Sequence, residues 1–179
     1  MKPRALILTA NGFEDSELLY PYYRLQEAGF QVDISAPKAG AVTGKHGYTV
    51  QAELSLNDLA RPASQDYALL VLPGGMAPSH LRDIPEALDI TRDFAAAGLP
   101  IAAICHGPQV LASAGLLAGR RATCSASVAG ELKTAGALYE DSEVVVDGKL
   151  VTSRKPSDLP AFMRAIMHLL GQLPGRLLG

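Results

Sequence analysis

The sequence predicts an α/β fold, a mostly parallel central sheet covered by helices on both faces in a three-layer sandwich. Three observations carry this. Short, continuously apolar runs recur as ALILT at Ala5–Thr9, YALLVL at Tyr67–Leu72 and PIAAI at Pro100–Ile104, the pattern of strands buried on both faces. Segments with helical spacing lie between them. Gly or Pro punctuates most of the junctions.

Ala5–Thr9 opens the chain as a buried strand. Asp15 can cap the helix that follows. Leu18, Leu19, Tyr22 and Leu25 share one face of it, Pro21 kinks its early part, and Gly29 ends it. Phe30–Ser35 alternates as a second strand. Val42–Ala52 reads as a strand pair around Gly44-Lys45-His46-Gly47. Tyr67–Leu72 is a central strand, stopped by Pro73-Gly74-Gly75. Pro85–Ala97 reads as a helix stopped by Gly98, and Pro100–Ile104 as another buried strand. Cys105-His106-Gly107-Pro108 is then a turn, with Pro108 suited to the first turn of a helix reaching about Leu117. A short strand near Ala122–Cys124 precedes a helix ending near Gly136. Val144–Val146 and Leu150–Ser153 form a hairpin around Asp147-Gly148. Ser157 can cap the last helix, which runs to about Leu170. The expected organisation is one domain over residues 1–172, with a loose tail over 173–179. About six strands are expected in the sheet, the three apolar runs near its middle.

The bulk numbers exclude several function classes. The chain has 179 residues, 48% apolar and 19% charged, which is a globular composition. A net charge of −2 supplies no basic surface for nucleic acid. Two cysteines, Cys105 and Cys124, are too few for a disulfide framework and lack metal-site spacing, so no metal and no cofactor are expected. The apolar run Ala5–Ala10 is too short for a signal segment. No apolar stretch approaches the ~20 residues that span a bilayer. The expected compartment is the cytoplasm, where thiols stay reduced.

The chemistry should lie where three motifs each follow a central strand: Gly12-Phe13-Glu14-Asp15, Pro73-Gly74-Gly75 and Cys105-His106-Gly107. In a parallel sheet these strand ends share one edge, and ligands bind in the crevice there. Ala103-Ile104-Cys105-His106-Gly107 has the small-x-nucleophile-x-small form of a nucleophile elbow, so Cys105 should have a positive φ. A helix N-terminus beside it favours the thiolate, and Cys105 is expected to titrate below the free-cysteine value of about 8.5. Backbone N–H groups of His106 and of Gly74 or Gly75 can stabilise an oxyanion. Taken singly, each feature has a plainer reading. A lone cysteine after a buried strand is most often a core residue. Gly74-Gly75 alone is a turn, and Glu14 alone is a solvated carboxylate at a helix start. Cys124 and His168 read as structural, and His46 and His80 sit in loops without an assigned role.

The segments TANGFEDSELLYPYYRLQEAGF, GKHGYTV, LLVLPGGMAP, AAICHGPQVLASAGLLAGRRAT and VVVDGKLVTSRKPSDLPAFMR closely resemble the PfpI family, in register over nearly the whole chain. That family belongs to the superfamily of the Parkinsonism-associated deglycase. The resemblance implies the flavodoxin-like fold of class I glutamine amidotransferases. It matches Cys105 to the nucleophile, Glu14 to the carboxyl that hydrogen-bonds its thiol, His106 to the adjacent histidine, and Gly74 and Gly75 to the oxyanion loop. It implies an enzyme of glyoxalase III or deglycase type acting on small carbonyls or glycated protein, or an intracellular cysteine peptidase. It also implies self-association as a dimer or higher homo-oligomer. Peptidase members carry a glutamate where this chain has Ser79, and a serine cannot be the anionic member of a triad. They carry serine and tyrosine where Cys124-Ser125 stands. Both departures count against proteolysis. A third reading is non-catalytic, a redox sensor or chaperone whose Cys105 oxidises.

Overall fold

The computed structural model describes residues 2–171, so the expected tail over 173–179 lies outside the described residues. Its strands are β1 (Arg4–Leu8), β2 (Gln31–Ala36), β3 (Gly40–Thr43), β4 (Thr49–Ala52), β5 (Leu54–Ser55), β6 (Leu69–Leu72), β7 (Ile101–Ile104), β8 (Arg121–Ala122), β9 (Leu138–Tyr139), β10 (Val144–Asp147) and β11 (Leu150–Ser153). Its helices are α1 (Asp15–Glu27), α2 (Ala77–Leu81), α3 (Pro85–Ala96), α4 (Pro108–Ser113), α5 (Ala129–Thr134) and α6 (Leu159–Leu169). Seven strands form the main sheet in the order β10-β11-β7-β6-β1-β2-β5. Every pairing in it is parallel except β10 with β11.

The three apolar runs occupy the middle of this sheet as β1, β6 and β7, because only continuously apolar strands tolerate helices on both faces. α1 packs with α6, and α3 packs with α4. On α6 the buried set Leu159, Phe162, Met163, Ile166 and Met167 follows the i, i+3, i+4, i+7, i+8 stripe. On α3 the set is Ala87, Ile90, Thr91 and Phe94. Phe94 and Phe162 are fully buried, and each such side chain contributes roughly 1.5–3 kcal/mol by leaving water.

Several local expectations change. α4 stops at Ser113, not near Leu117, because Gly115 turns left-handed at φ +74°. The N–H of Leu116 then donates to Leu111 O and that of Gly115 to Ala112 O, which closes the helix. Ser157 does not cap α6; it lies inside a 3-10 turn, Pro156–Asp158, and Asp158 is the residue before the helix. β3 and β4 form their own hairpin sheet, and the short elements β5 and α2 had no distinct sequence signal.

β1 leads through α1 to β2 on one side, while β6 lies on its other side. The crevice of an open α/β sheet forms at such a reversal. Here it opens between the residues after β1 and those after β6, where Phe13 and Gly75 form an isolated bridge. Cys105 follows the adjacent strand, β7, at the same edge.

Candidate active site

Cys105 leaves β7 with φ +63°, the one positive φ at a non-glycine among the described residues. The left-handed conformation costs an L-residue roughly 1–2 kcal/mol, so the surroundings must hold it. Its N–H donates to Ser153 O at 3.0 Å, and its carbonyl accepts from Ser125 N at 2.9 Å. Gly74 faces it from the end of β6. A Cβ on Gly74 would stand 2.7 Å from Cys105 Cβ and collide with the Glu17 carboxylate, so only glycine fits.

The carboxyl beside the thiol belongs to Glu17, not to Glu14. Glu17 is fully buried, and its Oε2 accepts the Gly74 N–H at 2.9 Å. Its carboxyl lies close enough to Cys105 to perturb the thiol, while its Oε1 is buried with no hydrogen-bond partner among the described residues. The reason is helical geometry. Glu17, Pro21 and Leu25 lie on the buried stripe of α1, which aims Glu17 inward, whereas Glu14 stands before the first turn. The oxyanion expectation narrows in the same way. Gly74 N–H is committed to Glu17, so the backbone donors facing the sulfur are Gly75 and His106.

Glu14 instead holds the β3–β4 hairpin. Its carboxylate meets Lys45 Nζ at 2.6 Å and His46 Nε2 at 3.3 Å. Asp15 does not cap α1. It accepts the backbone N–H groups of His46 and Tyr48 at 3.0 and 2.9 Å, clamping the hairpin tip over the helix start. This brings Lys45 within the electrostatic reach of Cys105 and Glu17. His106 Nδ1 lies 3.3 Å from Cys105 Sγ, and Nε2 lies 3.2 Å from Ser127 Oγ. Ser79 turns its hydroxyl onto its own Met76 carbonyl at 2.7 Å. Cys124 is fully buried, its Sγ 3.2 Å from the Ser125 carbonyl.

The electrostatics overturn the expected low thiol pKa. Burial, and then the neighbouring Glu17 carboxylate, push Cys105 up to about 12, against the opposing pull of the Gly75 and His106 N–H groups. Burial likewise pushes Glu17 up to about 8, against the Gly74 N–H. α4 has six residues and begins with Pro108, which has no N–H, so its N-terminus does not outweigh these effects. The two acids act as a coupled pair that keeps both its protons through neutral pH and gives up the first near pH 8. Burial and Lys45 lower the His106 pKa, so its ring favours the neutral form.

Two groups escaped the sequence reading. Glu17 left a signal, since a carboxylate on the core stripe of an amphipathic helix demands a partner. Lys45 left none, because its place depends on where a hairpin docks. Iodoacetamide labelling read by mass spectrometry is expected to modify Cys105 and spare Cys124. The rate at Cys105 should climb as pH rises through about 8, where the pair begins to lose its first proton. A pH-independent rate, or equal labelling of both cysteines, would contradict this.

Among the described residues no helix is long and apolar enough to cross a membrane. The model of the DJ-1/PfpI family matches residues 3–169. The chain is 46% identical over 167 residues to Deglycase TK1284 of Thermococcus kodakarensis, covering 93% of this chain and 99% of that protein. It is 42% identical over 174 residues to Protein/nucleic acid deglycase 2 of Escherichia coli, covering 96% and 99%. Among solved structures, a two-domain protein of Anabaena variabilis with DJ-1/ThiJ/PfpI-like and ferritin-like domains superposes with a TM-score of 0.92 at 35% identity, over 99% of this chain and 52% of that one. Fold, coverage and identity agree, and the chain belongs to the DJ-1/PfpI family.

Proposed function

We propose that the protein is a cofactor-free, cysteine-dependent enzyme acting on reactive carbonyls, a 2-oxoaldehyde such as methylglyoxal or its early adduct on protein. Cys105 is the nucleophile, Glu17 the acid–base group, and the Gly75 and His106 N–H groups the oxyanion donors. The observation that carries this is the buried Glu17–Cys105 pair on a left-handed elbow. A carboxyl held protonated near neutral pH can both give and take a proton there.

The reacting form is the singly protonated pair with its proton on Glu17: the Cys105 thiolate adds to the aldehyde carbon, and the C=O electron pair moves to oxygen, which takes the Glu17 proton. The product is a hemithioacetal. The Glu17 carboxylate then removes the proton on that carbon and returns it to the adjacent one, while the hydroxyl proton passes from the first oxygen to the second, leaving a 2-hydroxy thioester. Water cleaves the C–S bond, giving lactate and restoring the thiol. One carbon is oxidised as its neighbour is reduced, so no external redox partner is needed. Glu14 supports the site by holding Lys45, and Gly74 by orienting Glu17. A cytoplasmic location, one domain over 1–172 and homo-oligomerisation belong to the same reading.

The peptidase reading draws less support. His106 Nε2 meets a hydroxyl rather than a carboxylate, and the Ser79 side chain is engaged with its own backbone. Purified protein incubated with methylglyoxal is expected to form lactate, and Cys105→Ala to form none. Casein cleavage without lactate would reverse the order of the two readings.

A further inference from the structure

His106 touches Cys105 with one ring nitrogen, and the nature of the group on its other nitrogen decides what the ring can do. The contact at Nε2 is Ser127 Oγ at 3.2 Å, and Ser127 Oγ in turn lies 3.0 Å from Ser125 Oγ. The backbone makes this placement firm. Ser125 N–H donates to the Cys105 carbonyl at 2.9 Å, and the 3-10 turn Ala126–Val128 closes with Val128 N–H on Ser125 O at 3.0 Å. The turn is thus tied to the elbow itself, and Ser127 projects from it to the ring. Ser127 is exposed.

With a protonated Cys105 thiol facing Nδ1, the ring proton lies on Nε2 and Ser127 Oγ accepts it, which selects one neutral tautomer; a hydroxyl carries no charge with which to stabilise an imidazolium. The charged groups facing the ring are Lys45 from the β3–β4 hairpin, which opposes its protonation, and Glu131 from α5, which favours it. Glu131 is itself neutralised by Arg82 and bonded by Gln109 Nε2 at 2.9 Å. Beyond the thiol lies Glu17 from α1. Among the described residues no carboxylate takes the place at Nε2 that an orienting anion would fill.

We propose that Ser127 is the positioning residue of His106: its hydroxyl holds Nε2 so that Nδ1 faces the Cys105 sulfur, and keeps the ring a neutral hydrogen-bonding partner of the thiol. The catalytic meaning of this rests on the carbonyl reading above. The contact itself does not, and its test needs no carbonyl substrate.

Nitrogen-15 NMR of His106 in the full chain reads its tautomer and titration. Wild type should show one neutral tautomer in large excess, Ser127→Ala a mixture, and Ser127→Thr, which keeps the hydroxyl, the wild-type pattern. Ser127→Asp supplies an anion and should raise the His106 midpoint by roughly one unit or more. It should also speed iodoacetamide alkylation of Cys105 near pH 7 several-fold, because an imidazolium beside sulfur favours the thiolate. In turnover, Ser127→Ala should lower kcat on the order of tenfold with little change in KM. An unchanged tautomer ratio in Ser127→Ala together with an unchanged midpoint in Ser127→Asp would overturn the assignment. If wild type turned over no methylglyoxal while both NMR effects appeared, the carbonyl reading would fall and the Ser127–His106 contact would stand.

Discussion

Glu17→Gln is expected to lower methylglyoxal turnover by roughly 10²–10⁴-fold, the usual contribution of a general acid–base group. Glutamine is close in size and can still accept the Gly74 N–H that Glu17 Oε2 takes at 2.9 Å. It can also still donate to sulfur. What it cannot do is pass a proton from one carbon to the next. Alkylation of Cys105 should therefore survive in Glu17→Gln while turnover collapses, and Glu17→Leu should lose both. Glu14→Gln is the contrasting control. It removes the Lys45 and His46 ion pairs, yet leaves the Glu17–Cys105 pair in place, so its loss should stay within about tenfold. Lactate formation and iodoacetamide labelling, measured on the same four proteins, decide the matter. Full turnover by Glu17→Gln with loss in Glu14→Gln would return the acid–base role to Glu14.

The second large effect is on stability, and its sign follows from the direction of the Glu17 shift. The folded pKa, about 8, lies above the ordinary carboxyl value of 4.5, so the native state binds the extra proton. Stability is then greatest below the unfolded pKa and falls as pH rises through the window from about 4.5 to about 8. At about 1.36 kcal/mol per unit, burying this carboxylate costs about 3–5 kcal/mol at the top of that window. Glu17→Gln removes the titrating group. The variant should match wild type near pH 4.5 and exceed it by roughly 6–20 °C in Tm at pH 8.5. Thermal unfolding across this range checks the prediction, and parallel curves for the two proteins would refute it. The raised Cys105 thiol adds a further fall only above about pH 9, outside the measured range. A stability gain coupled to loss of turnover is what a strained functional site produces.

These two variants also separate what was written locally in the chain from what was not. The central sheet was written in the chain, because ALILT, YALLVL and PIAAI are continuously apolar and belong between two apolar layers. The sequence determined the elbow too, since small residues flanking Cys105 allow a left-handed nucleophile, and the positive φ is there. The strand–motif order brought Gly74-Gly75, Cys105 and the start of α1 to one edge. Of Phe13-Glu14-Asp15-Ser16-Glu17, the sequence pointed to Glu14 as the carboxyl at the thiol, and this was the wrong one, because each residue of helix rotates a side chain by about 100°. Only the docking of α1 against the sheet decided that Glu17 points in, Glu14 holds Lys45 and Asp15 clamps the hairpin. The ionisation of Cys105 was likewise a tertiary matter. A helix N-terminus is visible in sequence, but burial and a facing carboxylate are not, and in a low-dielectric pocket they outweigh it.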